Sequence, residues 1–274
     1  MVEIKRVRAV DADADLFDQL LFYRCLKAYD FAKPFVAGKR VLEIGCGTGY
    51  GLDYFNQSYA HYVGMDIDVE LLRGLGGRYL NGASSVSFLA ADIAHAPLQA
   101  HSFEVILSFQ VIEHMNDAVG FLREAARVLR PGGRLLITTP NRAIRLLPFQ
   151  KPWNPEHVHE YSYRGFRRLL RRVFQDVRLY SICGDAVSFA LETQRVKQDA
   201  YHVYVRRPLG AVARRLLPPS WQARLRQYRA SAITPPPATE PPSKPADMKL
   251  SLGNFFIRED YAPHCIDFLA VITC

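Results

Sequence analysis

Five short apolar runs, spaced roughly 20 to 30 residues apart, constrain this chain more than any other feature. They are RVLEI (40–44), HYVGM (61–65), VSFLA (86–90), EVILS (104–108) and RLLITT (134–139). Each has the length of a strand, and the stretches between them carry helical patterning. That alternation is the βαβ rhythm of a parallel sheet covered by helices on both faces. PGG at 131–133 predicts a tight turn between a helix over 118–129 and the fifth strand. SYRGFRRLLRRVF (162–174) predicts a helix capped by Ser162, leading into a sixth strand, VRLYSIC (177–183). A last strand is expected at CIDFLAVIT (265–273).

Ahead of the sheet, Leu16, Leu20, Tyr23 and Lys27 fall at helical spacing, with Pro34 near the helix end. The expected organisation is therefore a helical lead-in or cap over 1–38 and a core formed by 39–183 plus 265–274. Residues 184–264 are left as an insertion. Nine of the seventeen prolines fall between Pro208 and Pro245, which excludes a continuous helix or central strand there. Just before the densest prolines, VARRLLPPSWQARLRQYR (212–229) is basic and partly amphipathic. Ten basic and four acidic residues between 185 and 245 account for most of the net charge of +8. Such a charge attracts anionic partners without choosing among them.

Composition narrows the class. With 274 residues and 49% hydrophobic content, the chain can bury a real core and is not disordered as a whole. No apolar run approaches the length of a membrane-spanning helix. The first residues, MVEIKRVRAVDADADLF, are acidic where a secretory signal needs its apolar stretch, so the cytoplasm is the expected location. The five cysteines are scattered without a CxxC pair, so neither a disulfide framework nor a thiolate zinc site is expected.

The sharpest motif is VLEIGCGTGYG (41–51), directly after the first strand. Gly45, Gly47 and Gly49 let the backbone turn tightly and approach a ligand, and a helix begins near Tyr50. A GxGxG of this kind also serves dinucleotides, whose pyrophosphate sits on the helix N-terminus. The neighbouring acids decide between ligands. Asp66, in GMDID, can accept from both hydroxyls of an adenosine ribose. Asp92, in LAADI, can receive the adenine amino group, with Ile67 and Ile93 as apolar walls. Glu43 would repel a pyrophosphate but suits an amino acid moiety bearing an ammonium. The combination favours S-adenosylmethionine (SAM) over a nicotinamide dinucleotide.

These segments, with FEVILSFQVIEHM, REAARVLRPGGRLLITTPN and FLAVIT, resemble class I SAM-dependent methyltransferases. The similarity is greatest to the group containing ubiquinone, menaquinone, glycan and natural-product methyltransferases, over about 36–183 plus 265–273. The resemblance implies an α/β Rossmann-like sheet of seven strands in the order 3-2-1-4-5-7-6, strand seven antiparallel, flanked by helices and with a long insertion before the last strand. It also implies the methionine part near Gly45 and Gly47, the ribose on Asp66, and the adenine on Asp92 and Ile93. Gln110 would lie near the methionine part or the acceptor.

A second constellation concerns the acceptor. QVIEHM (110–115) places Glu113 and His114 immediately after strand four, at the ligand end of such a sheet. NPEHVHEYS (154–162) brings His157, His159 and Glu160 back after strand five, with His157 and His159 on one side if the segment is extended. A general base, a divalent metal site and a simple ionic contact all remain open here. Glu113, His114 and His157 resemble the ligands of metal-dependent relatives, which methylate catechols or the terminal ribose 2′-hydroxyl of small RNAs. Gln110 stands where the small-RNA enzymes have a first glutamate, which removes one negative charge.

Transfer to a hydroxyl of a small molecule or glycan is the expected function. The alternatives are a metal-dependent 2′-O-methyltransferase of RNA and a non-catalytic SAM-binding protein. The chain shows no dedicated nucleic-acid module, and SFQV stands where an amide or base methyltransferase has an NPPY-type tetrapeptide. The insertion is expected to form an acceptor-site or lid element. Tyr201, His202, Tyr204, Lys197, Arg206 and Arg207 are its candidate sugar- or phenol-binding groups. Phe22, Tyr23 and Tyr29 of the first helix are placed to close over bound ligands.

Overall fold

The computed structural model describes residues 14–79, 85–147, 149–201, 203–204 and 249–274. The first helix, α1 (Leu16–Val36), starts where the Asp15 carboxylate accepts the Asp18 backbone N–H at 2.8 Å. It carries Pro34 in its last turn. Then follow β1 (Arg40–Ile44), α2 (Tyr50–Phe55), β2 (His61–Asp66), α3 (Val69–Tyr79), β3 (Val86–Ala90), β4 (Phe103–Phe109), α4 (Ala118–Val128) and β5 (Leu129–Pro140). A four-residue helix α5 (Arg142–Arg145), α6 (Tyr163–Leu170), β6 (Asp176–Gly184), α7 (Ala186–Tyr201), β7 (Phe255–Glu259) and β8 (Cys265–Thr273) complete the order.

One eight-stranded sheet runs β3-β2-β1-β4-β5-β8-β6-β7. Strands β1 to β5 are parallel, while β8 lies antiparallel between β5 and β6. The seven expected strands and their order are all present. The sheet has one strand more than expected, because β7 adds an antiparallel edge to β6. Its sequence, FFIRE, is short and half polar, the pattern an edge strand tolerates.

The sheet's two faces bury separate apolar clusters. On one, Phe121, Leu122 and Ala125 of α4 and Phe166 and Leu170 of α6 pack on Leu42, Ile106, Leu135 and Phe268. On the other, Tyr29, Ala32 and Val36 of α1 join Leu52 and Phe55 of α2 over Val41, Leu107, Leu136 and Leu269. Each Val, Leu, Ile or Phe among them contributes about 1.5–3 kcal/mol on burial.

Three expectations need correction. Residues 130–133 do not separate a helix from a strand; they bulge within β5, where the register shifts between Phe103↔Leu129 and Val105↔Arg134. The helix capped by Ser162 ends at Leu170. Helix α7 was not expected at all. Its buried residues are Ser188, Glu192 and Val196, so it lacks the apolar stripe by which a helix is recognised. The proline-rich 208–245, the basic 212–229, His202, Arg206 and Arg207 lie outside the described residues. Among the described residues, no helix is long and apolar enough to cross a membrane.

Candidate active site

The parallel strands end together at Ile44, Asp66, Ala90, Phe109 and Pro140, and the candidate site residues gather along that edge. After β1 the chain turns through Gly45, Gly47 and Gly49, all with positive φ. A Cβ on Gly45 would come within 2.5 Å of the Val111 side chain, so backbone conformation and packing both require glycine there. At Gly47 a Cβ would meet nothing within 4 Å, which leaves open space beside the turn. The contact between Gly45 and Val111 sets the glycine turn directly against the turn that carries Glu113.

Asp66 organises this loop. Its Oδ2 accepts the Gly47 N–H at 2.9 Å and its Oδ1 the Asp68 N–H at 2.9 Å. The Asp66 carbonyl accepts the Ala91 N–H at 3.1 Å, which draws the end of β3 alongside. Asp92 then caps the single 3₁₀ turn Ile93–His95 by accepting the Ala94 N–H at 3.0 Å. Ile67 is 77% exposed beside it, whereas Ile93 is 3% exposed and packs into the core. Of the two expected apolar walls, only Ile67 therefore stands open on this edge.

Glu43 is also placed differently from a ligand-facing group. It is 1% exposed beneath α1, and its two oxygens accept from the Tyr29 and Tyr62 hydroxyls. Burial pushes its carboxyl up to about 8. A group protonated in the folded chain but ionised in the unfolded one loses stability as pH rises from its unfolded value towards its folded one. Glu43→Gln is therefore expected to gain stability relative to the unaltered protein as pH climbs from about 4.5 to about 8. Denaturant titrations across that window check it; an unchanged difference would contradict a protonated Glu43. Glu113, also pushed up to about 8 by burial, stays in both proteins and cancels.

The acceptor-side corner begins at Gln110, whose φ is +58°. Its backbone N–H and its side-chain amide both donate to Thr138 Oγ1 at 3.2 Å. In the next turn, Ile112–His114, Glu113 is 1% exposed. Its Oε2 accepts from Thr139 Oγ1 at 3.1 Å, while its Oε1 is buried without a hydrogen-bond partner. The Glu113 carbonyl accepts the N–H groups of Val158 and His159 at 2.8 and 3.1 Å, which ties the later loop to this turn.

That tie brings His157 to His114, with ring centroids 4.9 Å apart and planes at 90°. His114 Nδ1 lies 3.0 Å from the Glu156 carbonyl, which can only accept, so in the neutral ring the lone pair falls on Nε2. Ligating atoms of Glu113, His114 and His157 all lie within 4.8 Å of one another. His159 takes no part and packs on the Tyr161 ring at 4.6 Å, because residues 154–157 turn rather than extend.

Comparison with known proteins places this architecture. Residues 42–137 match the family model described as a methyltransferase domain. The chain is 38% identical over 134 residues to a probable S-adenosylmethionine-dependent methyltransferase of Mycolicibacterium smegmatis, covering 49% of this chain and 51% of that one. Residues 42–137 are thus similar to SAM-dependent methyltransferase domains. It is also 30% identical over 138 residues to a ubiquinone biosynthesis O-methyltransferase of Chelativorans sp., covering 48% of this chain and 54% of the relative. The chain thus spans about half the length of the curated relatives it matches. The fold extends further than the sequence match. A SAM-dependent methyltransferase structure from Thermotoga maritima superposes with a TM-score of 0.54 at 14% identity, over 94% of both chains.

Open space at Gly47, the Asp66 carboxylate, exposed Ile67 and exposed Asp92 follow one another along the strand ends. Thr138 and Thr139, which hold Gln110 and Glu113, were missed by sequence reasoning. Their place as the last hydroxyl residues of the fifth strand, just before Pro140 at the ligand end of the sheet, was the available signal.

Proposed function

We propose that this methyltransferase domain transfers the SAM methyl group to a hydroxyl of a small molecule or glycan. The observation that carries the proposal is the convergence of Glu113, His114 and His157 beside the glycine turn. A hydroxyl becomes a good nucleophile only as it loses its proton, and a neutral imidazole accepts a proton near neutral pH. Burial holds the His157 imidazole below its usual value, which keeps it neutral and able to accept.

In this proposal SAM supplies an electrophilic methyl carbon attached to a sulfonium. Gly45, Gly47 and Gly49 seat its methionine part with Gln110 beside it, Asp66 takes the ribose hydroxyls, and Asp92 and Ile67 hold the adenine. Ile93 supports that wall from beneath. Glu43 acts from behind by anchoring α1 through Tyr29 rather than by touching the ammonium. Alignment of nucleophile and methyl group is then the protein's main task, since the displacement is in line.

The same three side chains would hold a divalent ion. Two nitrogens and one carboxylate oxygen suit Mn²⁺ or Zn²⁺ better than Mg²⁺, and the buried, unpartnered Glu113 Oε1 fits a cation. A bound ion would stabilise negative charge developing on the acceptor oxygen.

In domain terms, 39–183 plus 265–274 form the catalytic unit, 1–38 its cap and 184–264 the acceptor-side element. A hydrogen bond from Arg24 of α1 to Glu192 of α7 at 2.9 Å, which links the two flanking elements, supports this reading. The cytoplasm is the proposed compartment. Release of S-adenosylhomocysteine should be followed with catechols, sugars, simple phenols and matched amines. Turnover confined to hydroxylic acceptors is expected. Turnover of amines alone, or tight binding of S-adenosylhomocysteine with no turnover of any acceptor, would refute oxygen transfer.

A further inference from the structure

His157 reaches the corner from an irregular loop, yet its ring is held on both sides. We propose that Glu160, braced by Arg145, is a positioning residue that fixes His157 as the Nδ1–H tautomer and turns its Nε2 lone pair towards Glu113 and His114. This rests on the acceptor corner assigned under the proposed function.

The geometry is specific. His157 Nδ1 lies 2.9 Å from Glu160 Oε1, and the two side chains are 7% and 0% exposed. Arg145 Nε lies 3.1 Å from both Glu160 oxygens, with its own side chain 3% exposed. Its guanidinium stands 4.5 Å over the Trp153 ring, and Glu192 is 3.9 Å from its Nη1. The carboxylate thus cannot swing away from His157 without abandoning a buried cation.

Glu160 also sits on fixed backbone. Its neighbour Tyr161 bridges to Asn141, which is bonded in turn to Ile266 and Cys265 of β8. Both Glu160 oxygens face the Arg145 guanidinium, so the carboxyl is held as the anionic partner of a buried cation. An ionised carboxylate can only accept, so Nδ1 must carry the proton. In neutral histidine that leaves Nε2 as the basic, ligating atom, the second-layer device that orients imidazoles at reactive centres. Arg24, Arg195, Glu192 and Asp267 continue the ionic cluster around Arg145.

The test is a two-bond ¹H–¹⁵N spectrum of the full chain with labelled histidine rings, taken at neutral pH, with His157 assigned by its loss in His157→Gln. The unaltered protein should show His157 as Nδ1–H. Glu160→Gln keeps an accepting oxygen and should retain that tautomer. Arg145→Met with Glu160→Met removes the buried pair together, which avoids stranding one charge. In that double variant the Nε2–H tautomer should appear and Mn²⁺ affinity should fall about ten- to hundredfold. Binding of S-adenosylhomocysteine, followed by calorimetry, should hold in both variants and reports that they fold. An Nε2–H tautomer in the unaltered protein overturns the proposal whatever the variants do. So does an unchanged tautomer in a folded double variant. If the tautomer shifts as expected while the unaltered protein binds no Mn²⁺, positioning by Glu160 stands and the metal role of the corner falls.

Discussion

Asp66→Ala is expected to weaken S-adenosylhomocysteine binding about 100-fold or more in calorimetric titrations. Two effects add. The carboxylate holds the glycine turn by accepting the Gly47 and Asp68 N–H groups, and it is the proposed partner of the ribose hydroxyls. Hydrogen bonds to a charged group contribute about 1.5–3 kcal/mol each, so losing one ligand contact and loosening the turn together reach that size. Asp66→Asn keeps the shape and one accepting oxygen, and should lose about tenfold, the lower end of the same range. The global fold should survive, because Asp66 is only partly buried and the two sheet-face clusters do not include it. Unaltered affinity in Asp66→Ala would remove Asp66 from the donor site.

Replacing His114 and His157 together by alanine should abolish two things at once. Titration of Mn²⁺ or Zn²⁺ into metal-stripped protein saturated with S-adenosylhomocysteine should show stoichiometric binding in the unaltered chain and none in the double variant. Methyl transfer to a hydroxylic acceptor should fall about 100-fold or more, the usual contribution of a positioned base. Affinity for S-adenosylhomocysteine should stay close to that of the unaltered protein, since neither ring is among the proposed donor contacts. Turnover that collapses without any metal binding in the unaltered chain would assign the pair to proton transfer alone. Turnover that persists would move the chemistry away from this corner.

Much of this molecule is legible in its sequence because the signals are local. Strands buried on both faces read as unbroken apolar runs, and β1 and β8 occupy the residues their composition marks. The glycine turn and Asp66 are likewise set by chain geometry at the end of a strand. His157 is singled out only by its resemblance to the later histidine of metal-dependent relatives, and the structure brings it to His114.

What escaped was decided by distant cover. Glu43 looks ligand-facing until Tyr29 of α1 is seen to occupy its carboxyl. Ile93 looks like a wall until the core closes over it. Helix α7 hides because its inner face is polar, and Glu192 is buried where Arg24 and Arg145 come from elsewhere to meet it beside Arg195 of the same helix. His159 shares the chemistry of His157, and only the turn at Asn154 separates their fates.

The place of β8 has a consequence for how the protein is made. It lies between β5 and β6, so neither strand has its neighbour until residues 265–273 arrive. Synthesis proceeds at about 5–20 residues per second, so roughly 4 to 16 seconds pass between completion of Gly184 and the start of β8. Throughout that interval two apolar strands present open hydrogen-bonding edges, the condition under which nascent chains pair with one another. Slow decoding across the insertion would lengthen that exposure, while shortening the insertion would relieve it at little cost in loop-closure entropy.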